Sequence, residues 1–148
     1  PRDAFPDRPA RDAAIADWLA AQGVELVVLA GYMAILGAAF IARFRDAIIN
    51  VHPSLLPAFP GINAVQQALD YGVKLFGVTV HFVDEGVDTG PILLQRSFEL
   101  TYTRPMNEVI EQIHAIEHEL LPRAVELIAD GSVHFDADNP RLVRIEER

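Results

Sequence analysis

The stretch ELVVLAGYMAILGAAFIARFRDAIINV, residues 25–51, decides the fold. It begins with one short apolar run, ELVVLA at 25–30, and ends with another, AIINV at 47–51. Continuous apolar runs of this length are typical of strands that are covered on both faces of a sheet. A glycine closes the first run, and the pattern between the two predicts a short helix over 36–43. A strand, a helix and a strand at this spacing predict a crossover unit between parallel strands.

The remaining sequence extends this unit into one α/β domain over residues 1–148. Upstream, apolar residues recur at helical spacing and predict a helix over 7–21 that ends before Gly23. Downstream, the pattern predicts further elements in chain order: a helix over 64–71, strands over 75–82 and 92–98, a long helix over 105–129, and a small hairpin from 133–135 and 142–145. We therefore expect an open, mostly parallel sheet with flanking helices.

Composition excludes several functional classes. Apolar residues make up 51% of the chain and charged residues 22%, which is ordinary for a globular protein. The chain has no cysteine, so it has neither disulfides nor thiolate metal sites. No apolar run approaches the roughly 20 residues of a membrane span. A formal net charge of −9 opposes binding to nucleic acid. We expect a cytoplasmic enzyme without nucleic-acid or membrane partners.

Polar residues cluster where such a sheet is expected to bind ligands. Asn50 and His52 come at the carboxyl end of the second predicted strand, and Asp88 lies in the loop after the third. These residue types suit formyl or acyl transfer between two nitrogens. An asparagine amide can donate to the developing oxyanion, and a histidine can exchange protons near neutral pH. A carboxylate near the histidine favours its protonated form and can position a water that carries the proton. The alternative, in which these residues only satisfy loop backbone groups, stays open.

Three separated segments carry a resemblance to a known family. NVHPSLLPAFPG at 50–61 resembles the signature of the folate-dependent formyltransferases. GVTVHFVD at 77–84 with VDTGPI at 87–92, and LAGYM at 29–33, continue the similarity over nearly the whole chain. The resemblance implies a Rossmann-like fold and 10-formyltetrahydrofolate as the formyl donor. Within this family, the three segments most resemble the sequences of the branch that formylates glycinamide ribonucleotide in purine biosynthesis.

The resemblance also implies roles for individual residues. The catalytic residues would be Asn50, His52 and Asp88. The folate would contact Arg8, Met33, Ala34, Ile35, Leu36, Asn50, Asp84, Glu85, Gly86, Val87 and Asp88. The ribonucleotide would contact Gly31, Pro53, His114 and Glu117. No metal is implied, and the protein is expected to be a monomer or a homodimer.

The sequence departs from the family pattern in two places. The family's amino-terminal strand and its glycine-rich phosphate loop have no counterpart, and the sequence begins at Pro1. We therefore expect that roughly the first quarter of the family domain is missing. His114 stands where relatives carry glutamine, which leaves its substrate contact open.

Four other interpretations remain. His114-Ala115-Ile116-Glu117-His118 matches H-x-x-E-H, a pattern of zinc proteases. Formyltetrahydrofolate deformylase would share the catalytic residues but pass the formyl group to water. Methionyl-tRNA formyltransferase is a further relative, although it normally carries a basic carboxyl-terminal domain. Finally, the chain could bind folate without performing any chemistry.

Overall fold

The computed structural model describes residues 5–32, 34–101 and 104–146. The elements in chain order are α1 (Arg8–Ala21), β1 (Val27–Ala30), α2 (Ala38–Arg43), β2 (Ile48–His52), α3 (Ala64–Tyr71), β3 (Leu75–Phe82), β4 (Ile92–Glu99), α4 (Met106–Ala129), β5 (Val133–Phe135) and β6 (Val143–Ile145). Every element that the sequence predicts is present, and the boundaries differ by a few residues at most. The α/β class is confirmed.

The main sheet has four strands in the order β1-β2-β3-β4. β1 and β2 pair in parallel, as the crossover through α2 predicts. β3 runs antiparallel to β2, and β4 runs antiparallel to β3. Among the described residues the sheet is thus open and mixed, and the parallel pairing that the sequence predicts holds for β1 and β2. An apolar run indicates a buried strand but carries no information on its direction, which is set by the connection.

Helix ends are marked by local chemistry. The Asp7 carboxylate accepts a hydrogen bond from the N–H of Ala10 at 2.8 Å and so caps the first turn of α1. Gly72 ends α3 in the left-handed conformation, with φ of 83°. Glycine adopts this conformation without steric strain because it has no Cβ. The long helix α4 buries a regular apolar stripe, and the described part of the chain includes no helix that is long and apolar enough to cross a membrane.

Two apolar cores lie on opposite faces of the sheet. Successive β2 residues point to opposite faces, so Ile49 joins the larger core with α4, and Ile48 joins the smaller core with α1 and α2. Both isoleucines are almost completely buried. Each such side chain contributes about 1.5–3 kcal/mol by leaving water. The two cores fix β2 between helices on both sides, and β2 carries the polar residues of interest.

Candidate active site

A cavity of about 790 Å³ opens beside the carboxyl end of β2. Its wall combines the segment after β1, the loops after β2 and β3, and one side of α4. Residues that line it are Leu29, Ala30, Gly31, Tyr32, Ala34, Ile35, Leu36, Ile41, Asn50, Val51, His52, Pro53, Gly61, Ile62, Asn63, Ala64, His81, Val83, Asp84, Gly86, Val87, Asp88, Thr89, His114, Glu117, His118, Leu121 and Pro122. Cavities of this size and mostly apolar lining typically bind small molecules.

Asn50 and His52 lie two residues apart on β2, so both side chains point to the cavity face. His52 is 95% buried. Its Nε2 lies 2.8 Å from the carbonyl oxygen of Phe59, which can only accept, so Nε2 carries a proton. The other ring nitrogen, Nδ1, lies 3.4 Å from Oδ2 of Asp88. This contact is longer than a strong hydrogen bond, which leaves Nδ1 able to share a proton with a group in the cavity.

Asp88 reaches His52 by a route that differs from the sequence-based argument. Because β3 is antiparallel to β2, β3 ends beside Ile49, at the amino end of β2. The loop over 83–90 then folds back along β2 toward its carboxyl end. Asp88 adopts the left-handed conformation with φ of 53°, and its Oδ2 accepts a hydrogen bond from the N–H of Gly61 at 2.7 Å. The predicted proximity of Asp88 to His52 is present, but loop folding and not a shared strand edge produces it.

His81 completes the polar cluster and was absent from the sequence-based prediction. It pairs with Asn50 across β2 and β3, and it is 98% buried. Its Nδ1 lies 2.8 Å from the carbonyl oxygen of Phe82, so Nδ1 donates and Nε2 is the acceptor of the neutral ring. Nε2 lies 3.3 Å from Nδ2 of Asn50 and 3.6 Å from Oδ1 of Asp88. Burial lowers the pKa of His81 below 6.5, against smaller opposing effects of the Phe82 carbonyl and Asp88.

The neutral His81 ring defines the orientation of Asn50. One N–H of the Asn50 carboxamide donates to His81 Nε2, and the second N–H stays available on the cavity side. The alternative amide orientation would place the Asn50 oxygen against the His81 lone pair, which is repulsive. The contact therefore supplies a fixed donor at the cavity surface.

A buried polar network holds the loop that supplies the Phe59 carbonyl. Thr79 Oγ1 donates to the carbonyl of Ser54 at 2.7 Å and accepts from the N–H of Leu56 at 3.1 Å. Gln95 adds side-chain donation to Thr79 Oγ1 and to the Leu56 carbonyl, each at 2.9 Å. Thr79 is completely buried, and each of these bonds would be costly to leave unmade. The loop is therefore rigid where it meets His52.

α4 contributes the polar side of the cavity opposite β2. His114, Glu117 and His118 all line it. Burial raises the pKa of Glu117 above 4.5, while the neighbouring His114, His118 and His52 act in the opposite direction. Within the described ranges, no group of three or more histidine, aspartate or glutamate side chains could hold a metal ion. The H-x-x-E-H residues thus share a cavity wall without forming such a group.

Most of the residues that the resemblance implicates meet at this cavity. The structure brings Gly31, Ala34, Ile35, Leu36, Asn50, His52, Pro53, Asp84, Gly86, Val87, Asp88, His114 and Glu117 to its lining. Arg8 does not line it and is exposed on the first turn of α1. Glu85 is exposed at the tip of its loop and also does not line the cavity. Met33 lies outside the described residues.

Several site residues escaped the sequence-based prediction because backbone groups or pairing register define them. The Phe59 carbonyl and the Gly61 N–H are backbone atoms, which a search for reactive side chains overlooks. His81 could have been found from strand alternation, since a histidine inside the apolar run over 75–82 is unusual and needs a partner. His118 was considered only as part of the H-x-x-E-H pattern, and the structure places it on the cavity wall with His114.

The chain is similar in sequence and in structure to known proteins. Residues 2–125 match the model of the formyl transferase family. The phosphoribosylglycinamide formyltransferase of Bacillus subtilis is 44% identical over 122 residues, which are 82% of this chain and 63% of that protein. A crystal structure of glycinamide ribonucleotide transformylase 1 from Symbiobacterium toebii superposes with a TM-score of 0.91 at 46% identity. The superposition covers 97% of this chain and 66% of the Symbiobacterium chain.

The fold is that of an α/β protein with a cavity beside its central strands, and the chain belongs to the formyl transferase family. A more distant structural relative is a formyltetrahydrofolate deformylase from Pseudomonas syringae, with a TM-score of 0.86 at 27% identity. It is matched over 95% of this chain and 46% of that chain. The chain spans slightly less than two thirds of the Bacillus and Symbiobacterium proteins.

Proposed function

We propose that this chain carries the formyl-transfer site of an enzyme that moves the formyl group of 10-formyltetrahydrofolate to the amine of glycinamide ribonucleotide in purine biosynthesis. One observation carries the proposal: Asn50, His52 and Asp88 form a polar cluster at the wall of a cavity of about 790 Å³, in which Asp88 faces His52 directly and His81 lies between Asn50 and Asp88. The names of the Bacillus and Symbiobacterium relatives support the choice of substrates.

The proposed chemistry uses each group at a defined atom. The acceptor amine attacks the formyl carbon, the bond from that carbon to the donor nitrogen breaks, and a proton moves from the amine to the donor nitrogen. Negative charge grows on the formyl oxygen during the attack. The free N–H of Asn50 donates to this oxygen, an interaction typically worth about 3–4 kcal/mol in the transition state. His52 supplies a second donor from Nδ1 when its ring carries protons on both nitrogens, and Asp88 holds the water through which the amine proton passes to the donor nitrogen.

The cavity lining supports a division between the two substrates. The segment over 34–36 contributes apolar side chains, and the loop over 83–90 contributes both apolar and acidic ones, a combination that suits the flat pterin ring of the folate with its polar edge. Gly31, Pro53, His114 and Glu117 lie on the side that we assign to the ribonucleotide. No lysine or arginine lines the cavity in the described part of the chain. The ribonucleotide phosphate therefore needs cationic or backbone N–H groups beyond this lining.

The proposal extends to the organisation of the protein. We propose that residues 1–148 form part of one catalytic domain that lies in the cytoplasm and acts on small molecules. A monomer and a homodimer both fit this proposal, and analytical ultracentrifugation distinguishes them.

The decisive experiment is the loss of the formyl group from 10-formyltetrahydrofolate, followed by absorbance, with and without glycinamide ribonucleotide. Loss that requires the ribonucleotide supports the transferase. The His52→Ala variant serves as the control for contaminating activity, and it should be inactive while it still binds the folate. If the formyl group is lost equally without the ribonucleotide, the transferase proposal is wrong and the chain is a deformylase. If it is never lost, the chain is a folate-binding unit without chemistry of its own.

The deformylase is the second candidate, because the Pseudomonas syringae enzyme shares the fold at a TM-score of 0.86. In that case water would take the place of the amine beside Asp88. The lower identity, 27% against 46% for the Symbiobacterium transformylase, makes it the weaker candidate.

A further inference from the structure

The chain after α4 reaches the loop that carries Asp88. The hairpin of β5 and β6 packs on the main sheet through Phe135, whose ring centroid lies 4.8 Å from that of Phe82. Phe82 is the last residue of β3, directly before the loop begins. Arg141, between β5 and β6, donates from Nη1 to the carbonyl oxygen of Thr89 at 2.9 Å. Arg141 lies beyond residues 2–125, which match the family model.

An ordered turn presents Arg141 to the loop. The Asp136 carboxylate accepts hydrogen bonds from the N–H groups of Asp138 and Asn139, at 3.0 and 2.9 Å. The Asn139 side-chain oxygen in turn accepts from the N–H of Arg141 at 3.1 Å. These bonds fix the backbone on which the arginine stands. The entropy lost when its side chain binds Thr89 is therefore smaller than for an arginine on a mobile segment.

Asp88 lies in the left-handed backbone region, where contacts with its surroundings hold it. A non-glycine residue with φ of 53° occupies a sparsely populated region, and it persists only where the surroundings hold it. Gly61 holds the Asp88 carboxylate on the β2 side. A cleft of about 260 Å³ also borders the loop, and Pro60, Asp88, Thr89 and Arg141 are among its lining residues. The hydrogen bond from Arg141 to Thr89 joins the hairpin to the loop at this cleft.

We propose that Arg141 is a positioning residue: its guanidinium holds Thr89 and thereby keeps the Asp88 carboxylate beside His52. The consequence for catalysis rests on the proposed formyl transfer, whereas the effect on the loop does not. The hairpin thus holds one end of the polar cluster although it lies outside residues 2–125, which match the family model.

The test compares Arg141→Ala and Arg141→Lys with Arg123→Ala. Arg123 is an exposed arginine on α4 that pairs with Glu126 and does not contact the loop, so its loss controls for a change of surface charge. Amide hydrogen exchange of residues 84–90 reports on the tether, and the ring nitrogen signals of His52 by NMR report on the position of Asp88. For Arg141→Ala we expect loop exchange to become about three- to tenfold faster, as for the loss of one hydrogen bond. The His52 signals should move toward those of Asp88→Asn.

Steady-state kinetics then separates positioning from a general structural role. In Arg141→Ala, kcat should fall by about three- to tenfold while KM for the ribonucleotide stays unchanged, because one hydrogen bond to the loop is lost. Arg141→Lys retains a cationic donor and should recover part of kcat. Unchanged loop exchange or unmoved His52 signals in Arg141→Ala overturn the proposal, whatever the activity. An inactive parent protein would instead count against the proposed function, and the exchange and NMR results would still decide the role of Arg141.

Discussion

Asp88 and His52 lie in contact, with 3.4 Å between Oδ2 and Nδ1, although β3, the strand before the Asp88 loop, ends beside Ile49 at the other end of β2. The same Oδ2 accepts the N–H of Gly61 at 2.7 Å, so the position of this carboxylate depends on two loops at once. The contact ties the loop after β3 to the end of β2. Its geometry explains why a residue in an unfavourable backbone conformation is retained at this point of the site.

The first prediction concerns the charge of Asp88. Asp88→Asn keeps the size of the side chain but removes the negative charge that faces His52. We expect kcat for formyl transfer to fall by about a hundredfold or more, as for loss of a group that assists proton transfer. The measurement is steady-state turnover with both substrates saturating. Asp70→Asn removes an exposed carboxylate on α3 and should leave turnover unchanged. Full turnover in Asp88→Asn would show that Asp88 takes no part in proton transfer.

The second prediction concerns the donor on Asn50. Asn50→Ala removes the N–H that faces the cavity and leaves His81 Nε2 without its partner. We expect kcat to fall by about 10²–10³-fold, the usual effect of deleting one oxyanion donor. KM for the folate should change little, because the donor acts mainly in the transition state. Asn107→Ala, at an exposed site near the start of α4, is the matched control. A large increase in KM with unchanged kcat would assign Asn50 to substrate binding instead.

Much of the fold was predictable from apolar runs alone. Apolar runs predict the buried strands, and apolar residues at helical spacing predict α4. All of these elements appear where the pattern predicts them. Strand direction was not predictable in this way. The connection through α3 keeps the chain at the carboxyl end of β2, so β3 starts there and pairs antiparallel, and this result depends on how the whole connection packs. The register between Asn50 and His81 follows from the same pairing.

The candidate site was predictable where it consists of reactive side chains and unpredictable where it consists of backbone. Asn50, His52 and Asp88 could be selected by residue type and position in the sequence. The Phe59 carbonyl that fixes one nitrogen of His52 could not, because every residue has a carbonyl. The contribution of Arg141 depends on a contact between distant segments, which a single sequence does not reveal.

The third prediction is a pH dependence of stability that originates at His81. Because burial lowers the pKa of His81 below 6.5, the unfolded chain binds more protons at this site than the folded protein. The contribution of His81 to stability is therefore complete above the unfolded value of 6.5 and is lost as the pH falls below it. We expect the free energy of unfolding of the wild type to decrease more steeply below that pH than that of His81→Gln.

Urea denaturation at a series of pH values measures this difference. Replacement of His81 will also change stability at neutral pH, so the slope against pH, not the absolute free energy, is the quantity to compare. His134→Gln controls for the loss of an exposed histidine. Parallel slopes for the wild type and His81→Gln would contradict a lowered pKa at this site.

The fourth prediction concerns the loss of folding stability when Glu117 ionises. Burial raises the pKa of Glu117 above 4.5, so the folded protein binds more protons here than the unfolded chain. The contribution of Glu117 to stability is greatest at pH values below its pKa in the unfolded chain. It is lost as the pH rises through its pKa in the folded protein. Glu117→Gln cannot ionise. We therefore expect it to have a higher melting temperature than the wild type at neutral pH, and a difference that disappears below pH 4.5.

The same substitution should weaken the proposed ribonucleotide site, since Glu117 lines the cavity on that side. We expect KM for the ribonucleotide to rise while the protein becomes more stable, which is a common relationship at binding sites. Glu111→Gln, at an exposed position on the same helix, is the matched control for removing one negative charge. A lower melting temperature for Glu117→Gln at neutral pH would mean that the ionised side chain is stabilised by its histidine neighbours more than burial opposes it.

The fifth prediction concerns Gly90, which closes the loop that carries Asp88. A Cβ at this position would collide with the carbonyl oxygen of Phe82, a backbone atom that cannot rotate away. Phe82 is also fixed by its own N–H bond to the carbonyl of Pro91 at 2.8 Å, so the loop must move instead. We expect Gly90→Ala to lower the free energy of unfolding by about 1–3 kcal/mol, as for overpacking. Because the movement displaces Asp88, kcat should also fall.

Gly37→Ala separates this collision from the general effect of adding a methyl group. Its Cβ would lie 3.5 Å from the nearest atom, an ordinary contact, and its backbone needs no left-handed conformation. Urea denaturation of the two variants should therefore show a large loss of stability for Gly90→Ala and a small change for Gly37→Ala. Equal free energies of unfolding for the two variants would mean that the backbone around Gly90 can move to accommodate the methyl group at little cost. In that case two contacts would have to maintain the position of Asp88: its own hydrogen bond with Gly61, and the bond from Arg141 to the neighbouring Thr89.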